Sequence, residues 1–418
     1  MSSKGKSPTA GSSAFALGPK LRFPEFQKVS GWRITKLNSL LFEAKHRNRS
    51  LQLGPEDVLS VSGEHGCVNQ IEFMGRSYAG ASVKDYHVVE HGDIVYTKSP
   101  LKKNPFGIIK ENKGKRGIVS TLYAVYRPFP DCSSTYLDHF FSVDFHLNAY
   151  LQPIVRKGAK NDMKVNNGDV LKGDICVPDL HEQQKIADCL DSMDALIAAQ
   201  GRKVEALRAH KKGLMQQLFP QEGETEPRLR FPEFEGAGEW SIKPLGKIAE
   251  NLDNRRVPIT SGSRIAGDVP YYGASGIVDY VEGYIFDEDL LCVSEDGANL
   301  LARTYPIAFA ITGKTWVNNH AHVLRFKHDF TQNFVELYLN SIKLDNFITG
   351  MAQPKLNKAK LDSIPIPLPK EPEQKRIADC LASLDDIIAA EIRKLDTLTT
   401  HKNGLMQQLF PSIEESQS

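Results

Sequence analysis

One long segment of this chain occurs twice, and that repeat constrains the fold more than any other feature. Residues 182–220 and 373–411 align without gaps, and 25 of the 39 aligned residues are identical, from the EQ that begins each copy to the GLMQQLFP that ends it. A shorter repeat precedes each copy, since PKLRFPEF at 19–26 matches PRLRFPEF at 227–234. Self-similarity of this kind indicates one structural plan that is used twice.

Both copies of the long segment are expected to be helices. Apolar residues recur at spacings of three, four or seven, and neither copy contains an internal proline. A spacing near 3.5 residues predicts a coiled-coil seam. The predicted seam residues are Ile186, Leu190, Met193, Ile197, Leu207 and Leu214 in the first copy, and Ile377, Leu381, Leu384, Ile388, Leu398 and Leu405 in the second. Because the two seams are so alike, we expect them to pair within the chain; the alternative is a homodimeric coiled coil.

The regions before the two helices, roughly 27–178 and 235–369, share little visible identity. They contain short runs bounded by Gly, Pro, Asn or Asp, which are typical of strands. The candidate strands are 58–62, 93–97, 117–126, 277–281, 290–294, 306–312 and 321–326, and the candidate helices are 135–150 and 330–345. We therefore predict an α+β fold, with two mixed α/β bodies separated by two long antiparallel coiled-coil helices and an internal pseudo-twofold repeat.

Bulk composition limits the classes of function. The formal net charge is +1, so any basic surface that binds nucleic acid must be local. The six cysteines form no C-x-x-C pair, which argues against zinc and fits a reducing cytoplasm. No apolar run approaches the roughly 18 residues that a membrane span needs. We expect a cytoplasmic protein without a metal or a cofactor.

Two different bodies, each followed by a near-identical helix with an E-Q-x-x-I-A start, resemble the specificity subunit of type I restriction–modification systems. The ends of the two variable regions look like the exits of such recognition domains: KGAKNDMKVNNGDVLKGDICVP at 157–178 and GMAQPKLNKAKLDSIPIPLP at 350–369. VSEDGANLL at 293–301 and KTWVNNHAHVL at 314–324 look like a recurrent subtype of these domains. The resemblance covers residues 19–411.

Composition and the resemblance together predict a domain order. The first residues are rich in Ser, Gly and Lys and free of acid, which predicts a disordered N-terminal tail at 1–18, and a tail at 412–418 follows the resembling region. Between them the resemblance implies a first target-recognition domain at 19–180, a central long helix at 181–220, a linker at 221–226, a second target-recognition domain at 227–370 and a C-terminal long helix at 371–411.

The resemblance also implies a function. Each recognition domain would read one half of an asymmetric, bipartite target in double-stranded DNA. The helices would set the spacer between the halves and dock two methyltransferase subunits, and restriction or translocase subunits would join through the complex. The chain itself would be a non-catalytic subunit without membrane contact. One alternative is a coiled-coil adaptor whose bodies bind protein, and another is an orphan modification or phage-defence component that reads DNA without a nuclease.

Cations and amides in the variable regions are the candidate DNA contacts, because Lys and Arg neutralise phosphates, Asn reads adenine and Arg reads guanine. In the first region a positive loop at 98–116 and the exit supply Lys98, Lys102, Lys103, Asn104, Lys113, Lys115, Arg116, Lys157 and Lys160. The second region supplies Arg255, Arg256, Arg264, Arg303, Lys314, Asn318, Asn319, His320, Lys355 and Lys358. Solvated loops are the alternative for the cations, and Asn318 and Asn319 can equally cap a turn.

Three apparent enzyme motifs fail on inspection. The segment 312–315 resembles the end of a P-loop but lacks the earlier glycine. The Asn-Pro-Phe segment at 104–106 lacks one proline of the amino-methyltransferase tetrapeptide, and no glycine-rich cofactor motif accompanies it. His320 and His322 lie on one face of a candidate strand, yet no carboxylate or cysteine spacing completes a metal site. We therefore assign no catalytic residue.

Overall fold

The computed structural model describes residues 18–29, 31–157, 163–221, 223–350 and 353–411. Its contacts divide the chain into two units. The first combines the residues up to Ala199 with those from Leu395 onward, and the second is Gln200–Lys394. The tails predicted at the two ends lie outside the described residues, except for Gly18, and the predicted domain boundaries stay predictions. No helix in the described part of the chain is long and apolar enough to cross a membrane.

The first unit contains twelve strands within the described ranges. They are β1 (Arg33–Lys36), β2 (Leu41–Glu43), β3 (Leu59–Ser62), β4 (Gly66–Asn69), β5 (His87–Val89), β6 (Ile94–Thr97), β7 (Ile108–Glu111), β8 (Gly117–Val119), β9 (Tyr123–Pro128), β10 (Arg156–Lys157), β11 (Met163–Lys164) and β12 (Asp174–Val177). The helices are α1 (Gln70–Met74), α2 (Ser134–Ser142), α3 (Asp144–Leu151), α4 (Asn167–Val170) and α5 (Leu180–Leu218), the last of which continues into the second unit. Short 3-10 turns lie at Pro24–Phe26, Leu37–Ser39 and Pro55–Asp57.

An antiparallel sheet in the order β2-β9-β6-β7 forms the centre of the first unit. Ile94 and Tyr96 of β6 pack in one core with residues of α2 and α3, whereas Val95 packs on the other face with Val89 and Val119. Successive side chains of a strand point to opposite faces, so both faces of the sheet are buried. Only the loops and edges of this sheet are therefore left to meet a ligand.

The second unit has its own set of elements. Its strands are β13 (Ser241–Pro244), β14 (Ala249–Asn251), β15 (Ala266–Gly273), β16 (Gly276–Val281), β17 (Phe286–Asp287), β18 (Leu290–Ser294), β19 (Ala308–Ile311), β20 (Lys314–Val317), β21 (Ala321–Phe326) and β22 (Pro365–Leu368). Its helices are α6 (Asn299–Ala302), α7 (Asp329–Ser341), α8 (Lys358–Asp362) and α9 (Glu371–Leu409), with 3-10 turns at Pro232–Phe234, Leu245–Lys247, Asp253–Arg255 and Ser261–Ser263. Two four-stranded sheets, β14-β21-β18-β19 and β16-β15-β20-β17, form the body, and α7 packs on the first of them.

The two units are built alike wherever the sequence repeats. β1 pairs antiparallel with β12, and β13 pairs in the same way with β22. The entry motif makes the same contact in each unit: the Leu21 N–H donates to the carbonyl of Gln408, and the Leu229 N–H donates to the carbonyl of Gln217, both at 2.9 Å. The repeated sequence therefore specifies a repeated junction between a body and the long helices.

A buried carboxylate marks the start of each long helix. Glu182 accepts two hydrogen bonds from Arg22, at 2.8 and 2.7 Å, and Glu373 accepts two from Arg230, at 2.7 and 2.8 Å. The two carboxylate side chains are only 1% and 2% exposed. A charge that is shielded from water needs a close partner, and the paired N–H groups of arginine match a carboxylate in geometry as well as in charge. The ion pair therefore joins the entry motif to the helix.

The glutamine after each of these glutamates makes a second link. Gln183 donates to the carbonyl of Pro178 at 3.0 Å and accepts from the backbone N–H of Ser133 at 3.0 Å. Gln374 donates to the carbonyl of the matching exit proline at 2.7 Å and accepts from the hydroxyl of Thr331 at 2.9 Å. Each glutamine thus connects the exit of its body to the first turn of a body helix.

The long helices α5 and α9 have 39 residues each, which corresponds to about 58 Å at 1.5 Å per residue. In the second unit Lys203 of α5 lies 2.5 Å from Glu391 of α9, and Lys211 lies 2.5 Å from Asp385. Because the residue number of the partner falls as that of α5 rises, the two helices run antiparallel.

The first unit contains the equivalent ion pair with the repeat copies exchanged, since Lys402 of α9 lies 2.5 Å from Asp194 of α5. The predicted seam residues Ile186, Leu190, Ile377, Leu381 and Ile388 are buried, and Met193, Ile197, Leu207, Leu214, Leu384, Leu398 and Leu405 are partly buried. Ile186 and Leu190 belong to the core of the first body, and Ile377 and Leu381 belong to the core of the second. The outer ends of the seam therefore pack into the bodies, which the helical period alone does not predict.

The predicted fold class is confirmed: the chain forms two mixed α/β units and two long helices that pair antiparallel. Six candidate strands correspond to β3, β6, β16, β18, β19 and β21, and the candidate helix at 330–345 corresponds to α7. The candidate strand 117–126 is wrong as a single element, because a turn at 121–122 divides it into β8 and β9. The candidate helix 135–150 is likewise divided into α2 and α3, because Val143 has an extended backbone.

Removal of one partner from a buried ion pair is expected to destabilise the second unit. The Arg230→Leu variant leaves the Glu373 carboxylate buried and unpaired, which costs about 3–5 kcal/mol, whereas the Arg230→Leu/Glu373→Leu double variant is expected to recover most of that loss. The control is Arg228→Leu, which removes the exposed ion pair with Glu224 and is expected to change stability far less, because solvent screens that pair. Denaturant unfolding measures all three, and equal losses in the two single variants would contradict the assigned role of the buried pair.

Candidate nucleic-acid interface

The basic segment predicted as one loop at 98–116 is divided by a strand. β7 pairs antiparallel with β6, and all four of its residues are buried. Ile108 and Ile109 complete the core of the central sheet, so the chain turns inward at this point. The prediction of a continuous positive loop is therefore wrong: Lys110 is buried within β7, and the other cations form two groups, one before the strand and one after it.

Acids compensate two of the predicted cations that follow β7. Lys113 lies 2.8 Å from Asp191 of α5 and 3.8 Å from Asp138 of α2, and Arg116 lies 3.0 Å from Glu90. The same Asp191 carboxylate also lies 2.9 Å from the ring of a buried histidine in α2. Lys113 therefore connects the turn after β7 to the long helix, and its charge is already matched within the protein.

Four lysines of this segment have no such partner. Lys98, Lys102, Lys103 and Lys115 meet no carboxylate at ion-pair distance among the described residues. The last three are exposed, whereas Lys98 is half-buried. Burial lowers the pKa of Lys98, and the charge of Glu43 opposes that lowering. These four side chains are the ones that keep positive charge available for an anionic partner.

Three further predicted contacts of the first unit are placed differently. Asn104 is buried and donates to the carboxylate of Asp144 at 2.8 Å, so it closes the loop before β7. Lys157 lies in strand β10, and Lys160 lies outside the described residues. Asn104 is therefore not available as an exposed contact.

A second cationic segment escaped the sequence analysis. Residues 45–49 read KHRNR, which places three cations and a histidine in five positions. The segment runs along β5: the Val88 N–H donates to the carbonyl of His46 at 3.0 Å, and Arg47 pairs with His87 across an antiparallel bridge. Residues that lie directly opposite on antiparallel neighbours share one face. The density of cations at 45–49 was a signal that sequence reasoning could have used.

His87 lies at the buried centre of this region. It is 2% exposed, and its Nδ1 has no hydrogen-bond partner among the described residues. Burial lowers the pKa of His87 to about 4, the charges of Arg47 and Lys98 add to that lowering, and the charge of Glu43 opposes it. The ring is therefore neutral at pH 7 while two cations lie close by.

In the second unit, three loops meet at one end of the sheet that contains β18 and β21. The Glu295 N–H donates to the carbonyl of His320 at 2.9 Å, and the Leu356 N–H donates to the carbonyl of Glu295 at 2.7 Å. We call the surface formed by residues 295–299, 318–320 and 353–357 the loop face. Its exposed polar side chains include Asn319, His320, Gln353 and Lys355. Hydrogen-bonding groups of several kinds are thus presented together, as base recognition requires.

The two histidines of this region each have a carboxylate partner. His320 Nδ1 lies 2.8 Å from Asp296, whereas His322 Nδ1 lies 2.6 Å from Asp253 and its Nε2 lies 2.7 Å from the carbonyl oxygen of Leu356. The sequence-based expectation concerned only a carboxylate or cysteine at metal-ligand spacing, and these carboxylates do not lie at such a spacing. The partners are 24 and 69 positions away along the chain, a separation that a spacing rule cannot detect.

A buried cluster of charges lies next to the loop face. Asp253, Glu295 and His322 each place one atom within 4.8 Å of the others, a geometry that resembles a metal site. However, Arg256 lies 2.7 Å from Glu295 and 3.5 Å from Asp253, and Lys355 lies 3.2 Å from Glu295. These cations supply the positive charge that an ion would otherwise provide. The cluster therefore holds the loops in place as a network of ion pairs.

Several predicted contacts of the second unit are engaged within the protein. Acids compensate Arg255, Arg264 and Lys358, whose partners are Glu288 at 3.2 Å, Asp279 at 3.0 Å and Asp362 at 3.0 Å. Arg303 donates to the carbonyls of Leu339 and Ile342 at 3.3 and 2.7 Å, so it caps the end of α7. Asn318 accepts the backbone N–H of His320 at 2.8 Å, which matches the turn-capping alternative left open above.

Lys314 is exposed, with its ammonium 4.8 Å from the centre of the Tyr284 ring. Asn319 is exposed next to the capped turn. The structure thus brings Asn319, His320 and Lys355 together on the loop face, and it assigns Arg256, Arg303 and Asn318 to the support of the body.

Comparisons with known proteins agree with this architecture. Residues 237–400 match the family described as type I restriction modification DNA specificity domain. A protein of Haemophilus influenzae that is named as a type I restriction enzyme specificity subunit is 41% identical over 146 residues, which cover 35% of this chain and 37% of that protein. The MjaVIII specificity subunit of a type I restriction enzyme from Methanocaldococcus jannaschii is 26% identical over 268 residues, 56% of this chain and 61% of that protein. The matches thus span less than two thirds of the length of either relative.

Solved structures with the same fold are also known. The S subunit of a type I restriction–modification system from M. genitalium matches with a TM-score of 0.56 and 14% identity, over 95% of this chain and all of that one. A chain from a structure of type I restriction–modification complex assembly and conformational transition matches with a TM-score of 0.55 and 15% identity, over 91% of this chain and 98% of that one. At such identities the similarity establishes the fold.

The neutral state of His87 predicts a pH dependence of stability. The pKa is about 4 in the folded chain and about 6.5 in an unfolded one. Between these values the unfolded chain binds more protons, so stability falls as the pH falls from about 6.5 towards 4, by at most about 3 kcal/mol for this group. The His87→Gln variant, which cannot be protonated, is expected to lose less stability than the native chain between pH 7 and pH 5. Denaturant midpoints at the two pH values measure the difference, and parallel losses in both proteins would refute a buried neutral ring.

Proposed function

We propose a function from one premise, which is that the chain belongs to the family of type I restriction–modification specificity subunits. Members of this family are generally non-catalytic. We infer that the chain is the DNA-reading subunit of a type I restriction–modification complex in the cytoplasm and has no catalytic activity of its own. Each unit reads one half of an asymmetric, bipartite target, and the length of the paired helices sets the spacer between the halves.

The observation that carries this proposal is that both bodies are attached to the long helices in the same way but present different polar surfaces. The Arg22–Glu182 and Arg230–Glu373 pairs attach both bodies to the helices with the same chemistry. In contrast, the first body presents lysines around β7, and the second presents an asparagine, a histidine and a lysine on its loop face. Lysines bind phosphates, and asparagine and histidine can bond to base edges. A shared attachment with different polar surfaces is what two readers of different half-sites require.

The repeat also supports two copies of a partner. Leu196 of α5 is 54% exposed and Ile387, its equivalent in α9, is 46% exposed; Ile34 of β1 and its equivalent Ile242 of β13 are 53% and 54% exposed. Single exposed apolar residues are ordinary, but exposure that recurs at equivalent positions of both copies supports a contact surface that is present twice in the chain. We infer that each unit docks one methyltransferase subunit and that restriction or translocase subunits join through that complex. The coiled-coil adaptor without a DNA-reading role finds no support in the relatives.

Modular reading is tested by exchanging one body. Replacement of residues 235–369 by the corresponding region of another family member is expected to change one half of the methylation motif and to leave the other half unchanged. Sequencing of methylated bases in cells that carry each version gives the motif. Replacement of the linker 221–226 by a glycine–serine linker of equal length is the control, and it is expected to keep the original motif. If both halves changed in the exchanged protein, the modular proposal would be overturned.

Substitutions in the two exposed apolar contact surfaces are expected to remove the methyltransferase subunits one at a time. Leu196→Asp and Ile387→Asp each place a charge in one contact surface, so each single variant is expected to bind one methyltransferase subunit and the double variant none. Native mass spectrometry of the co-expressed complex counts the subunits. Leu122→Asp is the control, because Leu122 is 68% exposed but lies outside the repeated segments, and this variant is expected to keep two partners. Two bound partners in the double variant would disprove docking at these positions.

A further inference from the structure

The part of the first unit around His87 holds positive charge that the protein itself leaves uncompensated. Arg47 lies opposite His87 across the bridge between the 45–49 segment and β5, and opposite residues of this kind have Cβ atoms about 5 Å apart. Arg47 donates one hydrogen bond, from Nη1 to the carbonyl of Asp85 at 2.8 Å. A guanidinium carries five N–H donors, so most of its capacity is left over. No carboxylate in the described ranges pairs with Arg47 or Lys98.

The acid that acts on this group among the described residues, Glu43, is already engaged. Glu43 influences both His87 and Lys98 electrostatically. Its Oε1 accepts a hydrogen bond from Asn167 at 2.8 Å, which holds it towards α4. Arg47 and Lys98 together carry two positive charges, and the Glu43 carboxylate that acts on Lys98 is bonded to Asn167, so the group carries a net positive charge.

His87 supplies a second, independent indication of a ligand. Buried polar atoms in folded proteins almost always have a hydrogen-bond partner, yet the buried Nδ1 of His87 has none within the described part of the chain. The charges of Arg47 and Lys98 both act on this ring, and Arg47 lies opposite it across the bridge. An anion bound by these cations would favour protonation of the ring, which could then donate a hydrogen bond to the anion. A metal ion is disfavoured here, since Arg47 and Lys98 would repel it.

We infer that Arg47, His87 and Lys98 form a binding site for one phosphodiester group of the DNA backbone, and that this site anchors the first unit on its half of the target. The inference rests on the proposed function and adds to it a site built largely from residues outside the predicted loop. The exposed cations Lys45 and Arg49 flank Arg47 in the 45–49 segment and extend the positive surface along β5. Phosphate contacts of this kind set the position of a reader on the duplex without selecting bases.

The site also distinguishes between the cations of the first unit. Lys113 and Arg116 have acid partners at 2.8 and 3.0 Å, so their transfer to a phosphate would break an existing ion pair. Arg47 and Lys98 have no such pair to break. The anchor therefore lies before β7 and along β5 rather than in the turn that follows β7.

The test measures the salt dependence of DNA binding. The full chain, alone and co-purified with its partner subunits, is titrated with a fluorescent DNA duplex. The titrations are repeated at NaCl concentrations from about 50 to about 250 mM, the range over which affinity from phosphate contacts changes strongly. The Arg47→Gln/Lys98→Gln variant is expected to bind about tenfold more weakly and to lower the log–log slope by about 0.9, the value for one phosphate contact. The Arg47→Lys/Lys98→Arg variant keeps both charges and is expected to keep the native slope.

Two controls separate this site from general charge effects and from misfolding. Lys36→Gln/Lys172→Gln removes the same number of charges from side chains that already pair with Asp174 and Asp169, and it is expected to leave the slope unchanged. In a second control, one phosphate of the duplex at a time is replaced by a neutral methylphosphonate linkage. At one position this replacement is expected to weaken binding of the native chain. At the same position it is expected to have no effect on binding of the Arg47→Gln/Lys98→Gln variant. Native-like thermal melting of each variant excludes unfolding as the cause.

The outcomes distinguish the anchor from the function on which it rests. If the native chain and its complex bind no DNA, both proposals fall. If they bind DNA and the Arg47→Gln/Lys98→Gln variant keeps the native slope and the native methylphosphonate profile, the anchor is overturned and the proposed function stands. Inorganic phosphate is added as a competitor of the duplex. If it displaces the duplex from the native chain but not from the variant, the site recognises phosphate groups in general. If it displaces the duplex from neither, the site requires the phosphodiester of a duplex.

Discussion

A carboxylate that is buried where each long helix begins is the constraint on which the rest of the structure depends. Glu182 and Glu373 are shielded from water and must meet a cation, and the entry motif delivers Arg22 and Arg230 to them. The adjacent glutamine then ties the exit of the body to the same helical turn. One dipeptide thus joins three parts of the chain. This explains why the EQ pair and the arginine of the entry motif recur while the bodies between them differ.

The fold was predictable from sequence wherever it is governed by local periodicity. The stripe from Ile186 to Leu214 gave a helix of the right length, and alternation in runs such as 290–294 gave strands. The failures lie where contacts between distant residues decide the outcome. Ile108 and Ile109 are drawn into the sheet by a core that no local window contains, so a segment that appears to be a positive loop includes a strand.

The candidate site was less predictable because charge alone does not say which partner a cation has. Lys113 and Arg256 are cations in sequence, but acids from other elements neutralise them in the fold. Asn104 and Asn318 have the amide groups that read bases, yet Asn104 is bonded to Asp144 of α3 and Asn318 caps a turn. Conversely, the 45–49 segment was overlooked because its cations lie next to a strand rather than in a long loop. Free and compensated cations can be told apart only when the acids around them are known.

The division of the chain between the two units has a consequence for biosynthesis. The second unit is one continuous stretch of chain, Gln200–Lys394, whereas the core of the first unit includes Leu409 and Phe410, which pack with Tyr136. During translation the first body emerges early but lacks these aromatic and aliphatic groups until almost the whole chain has left the ribosome. Contacts with such a wide separation in sequence form slowly, and apolar surface that waits for its partner is prone to aggregation. The unit that is made first is therefore expected to be completed last.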